Sequence, residues 1–245
     1  MDYILKVKEI EKSYGERKAV KGISFNVKSG EILGFLGPNG AGKSTSINII
    51  ATVVDCDKGS IFFRGKDVKS DENYFKQNLG VVPQDIAVFT DLSAYDNVKF
   101  FCSLYGFKGK ELKQNVEEAL NFVGLWDRRK DLPSKFSGGM KRRLNIACAI
   151  AHKPKLLIMD EPTVGIDPQS RNNILETVKK LNRDGTTIIY TSHYMEEVES
   201  ICTKLIIMDE GTIVEEGTTE ELKNKYSKDN LEEIFLQLTG KALRD

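Results

Sequence analysis

The sequence predicts an α/β fold: a mixed, mainly parallel sheet with helices on both faces, an N-terminal antiparallel β subdomain, and an inserted helical subdomain. Three patterns support it. The apolar run at residues 31–36 predicts a buried strand that leads through a glycine-rich loop into an apolar helix at 44–54. The apolar run at 156–161 is typical of a parallel strand buried on both faces. Between these runs, apolar residues from about 86 to 150 recur at helical spacing.

Net charge, apolar runs and cysteine spacing narrow the classes of protein to which this chain could belong. The chain has 245 residues with 36 basic and 36 acidic side chains, so net charge gives no reason to expect a nucleic-acid partner. The sequence has no signal-peptide pattern and no run of apolar residues long enough to cross a membrane, so we expect a chain that does not span one. The four cysteines form no C-x-x-C pair, which favours reduced thiols over a disulfide framework or a metal site.

Two strands are predicted before the glycine-rich loop, at residues 3–14 and 23–27. Tyr14 stands at the end of the first, just before a turn. A tyrosine there is usually a packing residue, but its flat ring is also suited to stacking on a base. The position alone leaves both readings open.

The glycine-rich loop fits the phosphate-binding pattern G-x-x-x-x-G-K-[S/T]. Its glycines allow consecutive N–H groups to turn inward around an anion, and the following helix N-terminus also favours phosphate. Lys43 adds a positive charge for the β and γ phosphates, and Ser44 offers a hydroxyl to Mg²⁺. We call this segment the phosphate loop: Gly37, Pro38, Asn39, Gly40, Ala41, Gly42, Lys43, Ser44 and Thr45.

The middle of the chain contains strands and then helices. Strands are predicted at 59–63 and 79–82, the second followed by Pro83 and Gln84. The run 127–143 is rich in Lys and Arg, which is typical of a solvated helix face and less often of an anion-binding patch. Ser137, Gly138 and Gly139 precede a helix at 140–151. Serine is a good N-cap, whereas two adjacent glycines indicate a backbone that something approaches closely, most simply another phosphate.

Two later strands end in polar residues. The strand at 156–161 finishes with Asp160 and Glu161, and ligand chemistry in parallel sheets lies at this end of the strands. Asp160 is therefore placed to hold Mg²⁺. His193 follows a β-branched strand at 186–191, where it is suited to a γ-phosphate or an attacking water, although a lone histidine is more often a satisfied polar residue.

The remaining elements are a helix at 174–181, a hairpin at 205–214 and a helix at 230–238 whose apolar face is expected to pack on the core. We predict one domain, 1–245. Its core comprises residues 1–85 and 152–218, its helical subdomain 86–151, and its helical tail 219–245.

The order of the motifs resembles the nucleotide-binding subunit of an ATP-binding cassette (ABC) transporter, over essentially the whole chain to about residue 218. The resemblance implies a P-loop NTPase, RecA-like core, ATP and Mg²⁺ as ligands, and ATP hydrolysis. It also assigns roles residue by residue. Tyr14 would stack on adenine and the phosphate loop would hold phosphates. Gln84 would touch Mg²⁺ or water, Asp160 would hold Mg²⁺, Glu161 would be the general base, and His193 would meet the γ-phosphate.

The resemblance also implies partners. Ser137, Gly138 and Gly139 would cap ATP held by a second copy, Asp167 would cross that interface, and the homodimer would form with nucleotide. Integral membrane permease subunits would carry the cargo, placing the chain on the cytoplasmic face of the membrane. Met140 replaces the usual signature glutamine, as in a subset similar to subfamily A and to drug, lipid or sodium exporters. The alternative is a soluble cassette ATPase that acts on ribosomes or DNA.

Overall fold

The computed structural model describes residues 3–240 and divides them into two compact units. The first contains the residues up to Phe75 and those from Thr187 onward, and the second spans Lys76–Thr186. Each unit combines strands with helices, which confirms the predicted α/β class.

The first unit contains the predicted antiparallel sheet. Strands β1 (Tyr3–Tyr14) and β2 (Arg17–Lys28) pair along their lengths, and β1 also pairs with β4 (Lys58–Phe63), which is followed by the short β5 (Lys66–Asp67). Burial alternates from Ile23 to Val27 in β2, as period-2 patterning requires, whereas register shifts interrupt the alternation in β1. Strand β2 begins six residues before the predicted 23–27 segment, because its pairing with β1 continues to the Gly15–Glu16 turn.

A second group of strands in this unit carries the phosphate loop. Strand β3 (Ile32–Leu36) is fully buried and lies parallel to β8 (Thr187–Thr191) on one side and β9 (Lys204–Asp209) on the other. Strand β10 (Thr212–Gly217) closes the predicted hairpin by pairing antiparallel to β9. Helix α1 (Lys43–Ile50) is shorter than predicted, because Thr52 adopts a left-handed φ of 58° that ends the helix.

Three helices complete the first unit. Helix α7 (Met195–Ile201) follows β8, and α8 (Thr219–Tyr226) begins with a capping box between Thr218 and Glu221. Helix α9 (Leu231–Thr239) packs its apolar face into the core, as predicted, where it meets Leu36 at the end of β3.

The second unit is mainly helical. Its parallel strands β6 (Leu79–Val82) and β7 (Leu156–Met159) pair in register, and α3 (Ala94–Leu104), α4 (Gly109–Phe122) and α5 (Gly138–Ile150) pack on one another. The remaining helices are α2 (Glu72–Gln77), where the two units join along the chain, and α6 (Pro168–Arg183). Over residues 3–240, no helix combines the length and apolar character needed to cross a bilayer.

The basic run at 127–143 is largely engaged with its own unit. The Arg128 guanidinium pairs with Asp131, Arg129 stacks on Trp126, and Arg143 donates to the carbonyl oxygen of Val123 at 2.8 Å. Arg142 is 3% exposed. These contacts weigh against a free anion-binding patch, but they also show that the run is not simply a solvated face.

Candidate nucleotide-binding and catalytic site

The phosphate loop leaves the end of β3 and opens α1 without a side-chain cap. Gly40 and Gly42 have φ of 80° and 100°, a backbone region that favours glycine. Gly42 stands at the N-cap of α1, so no side chain competes for the first N–H groups of the helix. These N–H groups and the helix dipole are suited to an anion.

The loop is held from behind by β2 and by the β9–β10 turn. The Gly211 N–H donates to the Ala41 carbonyl oxygen at 3.0 Å, and the Gly211 carbonyl accepts from the Lys21 N–H at 2.8 Å. A Cβ on Gly42 would lie 2.5 Å from the Ala19 carbonyl oxygen, and one on Gly37 would lie 2.6 Å from the Met208 carbonyl oxygen. The loop glycines are therefore required by intramolecular packing as well as by any ligand.

Lys43 and Ser44 present different chemistry at the start of α1. The Lys43 ammonium is buried at 6% exposure and donates to the carbonyl oxygens of Gly37 and Pro38, at 2.5 and 3.2 Å. Ser44 is exposed, so its hydroxyl faces solvent. The structure thus places a cation inside the loop and an exposed serine residue beside it.

Tyr14 lies at the turn between β1 and β2, and its side chain is 51% exposed. This exposure argues against a packing role and leaves the ring available for stacking. Its cross-strand partner Arg17 approaches the phosphate loop: a guanidinium nitrogen lies 3.2 Å from where a Cβ of Gly40 would stand. The turn that carries Tyr14 is therefore next to the loop.

His193 leaves the same edge of the sheet as the phosphate loop. Phe35 of β3 is paired with Thr191 of β8, so Gly37 and His193 follow neighbouring parallel strand ends. His193 is half-buried in the short connection from β8 to α7. This placement agrees with the strand-end position predicted for it.

In the second unit, the two acidic residues follow β7 directly. The Asp160 N–H donates to the Val82 carbonyl oxygen at 2.9 Å, which places Asp160 beside the end of β6, where Pro83 and Gln84 begin. Glu161 is 7% exposed and has a left-handed φ of 46°. A non-glycine residue held there costs about 1–3 kcal/mol, and such strain clusters at functional sites.

Gly138 and Gly139, the two glycines that follow Ser137, have different surroundings. Ser137 caps α5, and its hydroxyl accepts from the Met140 N–H at 3.3 Å. Gly139 is buried, and a Cβ there would lie 2.4 Å from the Cβ of Ser170. Gly138 is exposed, and its nearest neighbour would be Ile166 at an ordinary 3.7 Å. Close approach of the protein itself therefore explains Gly139 but not Gly138.

Asp167 begins α6 beside these glycines. Its carboxylate accepts from the Ser170 N–H at 2.9 Å, and that hydrogen bond lowers the pKa of Asp167 below its usual value. Because Ser170 also lies 2.4 Å from where a Cβ of Gly139 would stand, the structure places Asp167 near the segment at 137–139.

Arg142 is a site residue that the sequence pattern did not single out. Its guanidinium donates to the Pro83 carbonyl oxygen at 2.7 Å and to the Gln84 carbonyl oxygen. The side chain of Gln84 remains exposed while its backbone is fixed to α5. Arg142 lies among other basic residues, and only tertiary structure separates a buried arginine from a solvated one.

Comparisons with known proteins agree with this arrangement. A family model described as ABC transporter matches residues 20–164. The chain is 49% identical to the linearmycin resistance ATP-binding protein LnrL of Bacillus subtilis, covering 99% of this chain and 76% of that protein. It is 37% identical to the daunorubicin/doxorubicin resistance ATP-binding protein DrrA of Streptomyces peucetius, covering 90% and 67%.

A solved structure shares the fold. The dimeric ATP-binding cassette MJ0796, determined in a post-hydrolysis state with ADP and Pi, has a TM-score of 0.78 and 27% identity to this chain. The match covers 87% of this chain and 98% of that one. The chain therefore belongs to the ABC transporter family, as its ATP-binding and ATP-hydrolysing subunit.

Proposed function

We propose that this subunit powers export of a small organic compound through separate membrane-spanning subunits, from the cytoplasmic face of the membrane. The names of its relatives support the direction of transport: LnrL and DrrA are named for resistance to linearmycin and to daunorubicin and doxorubicin. The compound itself would be selected by the membrane subunits.

The first unit would bind the nucleotide. Tyr14 would stack on adenine, since its ring is half exposed next to the loop. The loop N–H groups would surround the β and γ phosphates, and Lys43 would exchange its carbonyl partners for phosphate oxygens. The preorganised loop would then need little rearrangement to bind.

The oxygen atoms at Ser44, Asp160 and Gln84 suit Mg²⁺, which prefers oxygen ligands. Two observations support the fit: the Ser44 hydroxyl is exposed, and Asp160 and Gln84 follow adjacent strand ends. A bound Mg²⁺ would neutralise phosphate charge. Ser44, Asp160 and Gln84 would supply its protein ligands.

Hydrolysis would depend on Glu161 as the general base. The observation that carries this role is a buried carboxylate held in a strained backbone immediately after a core strand. Its backbone is fixed at the end of β7, so the carboxylate would be held where a single attacking water can reach it. Gln84 and His193 would orient the attacking water.

A second copy would complete each site. Ser137 and Gly138 are exposed, and no protein contact in the second unit demands glycine at 138, which is consistent with a phosphate from a neighbour approaching there. Asp167 lies beside them and would cross the same interface. The dimeric MJ0796 cassette provides a precedent for pairing.

An exposed aromatic patch on the second unit is suited to the membrane subunits. Phe89 and Phe100 are 43% and 41% exposed, and their rings meet edge to face at 5.1 Å, with Phe101 beside both. The buried Asn97 side chain accepts a hydrogen bond from the Phe89 N–H and donates one to the Phe89 carbonyl oxygen, which fixes the Phe89 backbone. A rigid apolar patch of this kind marks an interaction surface. We assign it to an amphipathic helix of the permease.

The central test is Glu161→Gln. Turnover should fall at least roughly 100-fold while ATP affinity is retained and dimers accumulate, because removing a general base affects only the chemical step. Glu210→Gln is the matched control, since Glu210 shares the left-handed backbone (φ 45°) but lies on an exposed turn. Normal phosphate release by Glu161→Gln would remove this residue from the base role.

The shared site has its own test. Ser137→Arg should leave ATP bound to the monomer and prevent productive pairing, because a large cation would stand where the neighbour's phosphate docks. Full activity in this variant would refute the shared site. Co-purification with ribosomes at low salt would favour the alternative, a soluble cassette ATPase.

A further inference from the structure

A buried carboxyl group lies beneath the connection that carries His193. Glu197 is in the first turn of α7 and is only 3% exposed. Carboxylates are almost never fully buried unless they are paired, because burial without hydrogen bonds costs several kcal/mol. None of the roles assigned above uses this group, so its burial needs a reason.

The Glu197 carboxyl group is linked to residues on both sides of His193 in the sequence. One carboxyl oxygen accepts from the Tyr190 hydroxyl at 2.9 Å and from the Ser192 hydroxyl at 2.7 Å. The same Ser192 oxygen accepts from the Tyr194 N–H at 2.9 Å. The residues immediately before and after His193 are therefore joined through one hydroxyl group, and that hydroxyl is anchored on Glu197.

The connection itself has little regular structure to fix it. Strand β8 ends at Thr191 and α7 begins at Met195, so residues 192–194 belong to neither ladder nor helix. Glu197 also holds the far side of this connection, because its N–H donates to the Tyr194 carbonyl oxygen at 3.1 Å. Tyr190 and Ser192 are 0% and 1% exposed, so water does not compete for these bonds.

We propose that Glu197 is a positioning residue for His193. Its carboxyl group fixes the three-residue connection, so the imidazole is presented at one place beside the phosphate loop. This inference rests on the role proposed above for His193 in hydrolysis. Glu197 acts through His193 and does not touch the nucleotide.

The experiment compares turnover and binding in matched variants. Glu197→Ala should lower kcat roughly 10-fold, the effect of losing about 1.4 kcal/mol of transition-state positioning, and leave affinity for a non-hydrolysable ATP analogue within about 2-fold. Glu197→Gln keeps an acceptor oxygen and should recover most of the rate. Glu196→Ala, at the exposed neighbouring position, should behave as the parent protein.

The decisive measurement repeats Glu197→Ala in the His193→Ala background. A residue that acts only through the imidazole should cause no further loss there. An equal loss in both backgrounds would overturn the inference, as would full kcat in Glu197→Ala while His193→Ala is impaired. Should Glu197→Ala fail to fold, Ser192→Ala removes the linking hydroxyl alone and is expected to lower kcat in the same His193-dependent way; unchanged kcat would count against the inference.

The single His193→Ala variant separates the two proposals. Wild-type turnover in that variant would refute the hydrolytic role of His193, and the positioning role would fail with it. Impaired turnover in His193→Ala together with an unaffected Glu197→Ala would refute the positioning role alone.

Discussion

Replacing Gly139 by alanine should destabilise the second unit through a contact with α6. A Cβ at 139 would lie 2.4 Å from the Cβ and 2.3 Å from the hydroxyl oxygen of Ser170. Ordinary contacts begin at 3.4 Å, so about 1 Å of movement between α5 and α6 would be needed. The Cβ of Ser170 cannot rotate out of the way, because its position is set by the backbone.

The magnitude follows from two opposing effects. Overpacking a tightly packed contact costs about 1–3 kcal/mol, whereas replacing a helical glycine by alanine returns up to about 1 kcal/mol. Because the clashing Cβ of Ser170 is fixed by its backbone, the overpacking cost should lie in the upper part of this range, which leaves a net loss of about 1–2 kcal/mol in the free energy of unfolding. For a chain of this length, that loss lowers Tm by roughly 2–8 °C.

Thermal and urea unfolding would measure this loss, with two companion variants. Gly138→Ala is the matched control, because its Cβ would meet only Ile166 at 3.7 Å, and Tm should not fall. Ser170→Gly removes both clashing atoms and leaves only the Cα, at 3.8 Å. In the Ser170→Gly background, Gly139→Ala should therefore cost much less stability than it costs in the parent protein. A Gly139→Ala protein as stable as the parent, or one that Ser170→Gly does not rescue, would refute the packing explanation.

Three further outcomes are expected. His152 is buried and stacked on Tyr105, and burial lowers its pKa to about 4. The free energy of unfolding should therefore fall by roughly 3 kcal/mol as pH drops from about 6.5 to 4. His152→Gln should flatten that decline in urea titrations, and an unchanged dependence on pH would contradict this explanation. Gly211→Ala should raise the Kd for ATP roughly 10-fold, because its Cβ would lie 2.8 Å from the carbonyl oxygen of Ala19 in β2, the strand that supports the phosphate loop from behind. Gly65→Ala, with the same left-handed φ but open space around it, should leave the Kd unchanged, and equal effects of the two variants would argue against this contact. Phe100→Asp should leave the ATPase activity of the isolated chain unchanged and reduce its co-purification with permease subunits, and undiminished recovery of the permease would exclude the aromatic patch.

Local chemistry explains what the sequence could predict. The phosphate loop is a contiguous segment whose residue types dictate its backbone, and Glu161 follows an apolar run that is typical of a buried strand. Helix α1 was predicted too long because apolar periodicity continues past Ile50, and the left-handed turn at Thr52 carries no glycine or proline to mark it.

Two features that depend on tertiary contacts could not be predicted from the sequence. Arg142 has the same sequence surroundings as its half-buried neighbours Lys141 and Arg143, and only the approach of the segment after β6 makes it a fully buried donor. The close approach of Ser170 of α6, which requires glycine at Gly139, has no counterpart in the local sequence. Both cases depend on which segments meet in three dimensions, which no local pattern of residue types encodes.

The packing of α9 has a consequence for how the C-terminal tail can be altered. Leu231, Ile234 and Phe235 share a buried cluster with Leu36, the residue that immediately precedes Gly37. Deleting α9 would expose Leu36, which supports the start of the phosphate loop, to solvent. The shortened protein should therefore bind nucleotide poorly, although all of its nucleotide-binding motifs are intact. We therefore expect changes in α9 to reach the phosphate loop through this buried cluster, although α9 contributes no residue to a nucleotide-binding motif.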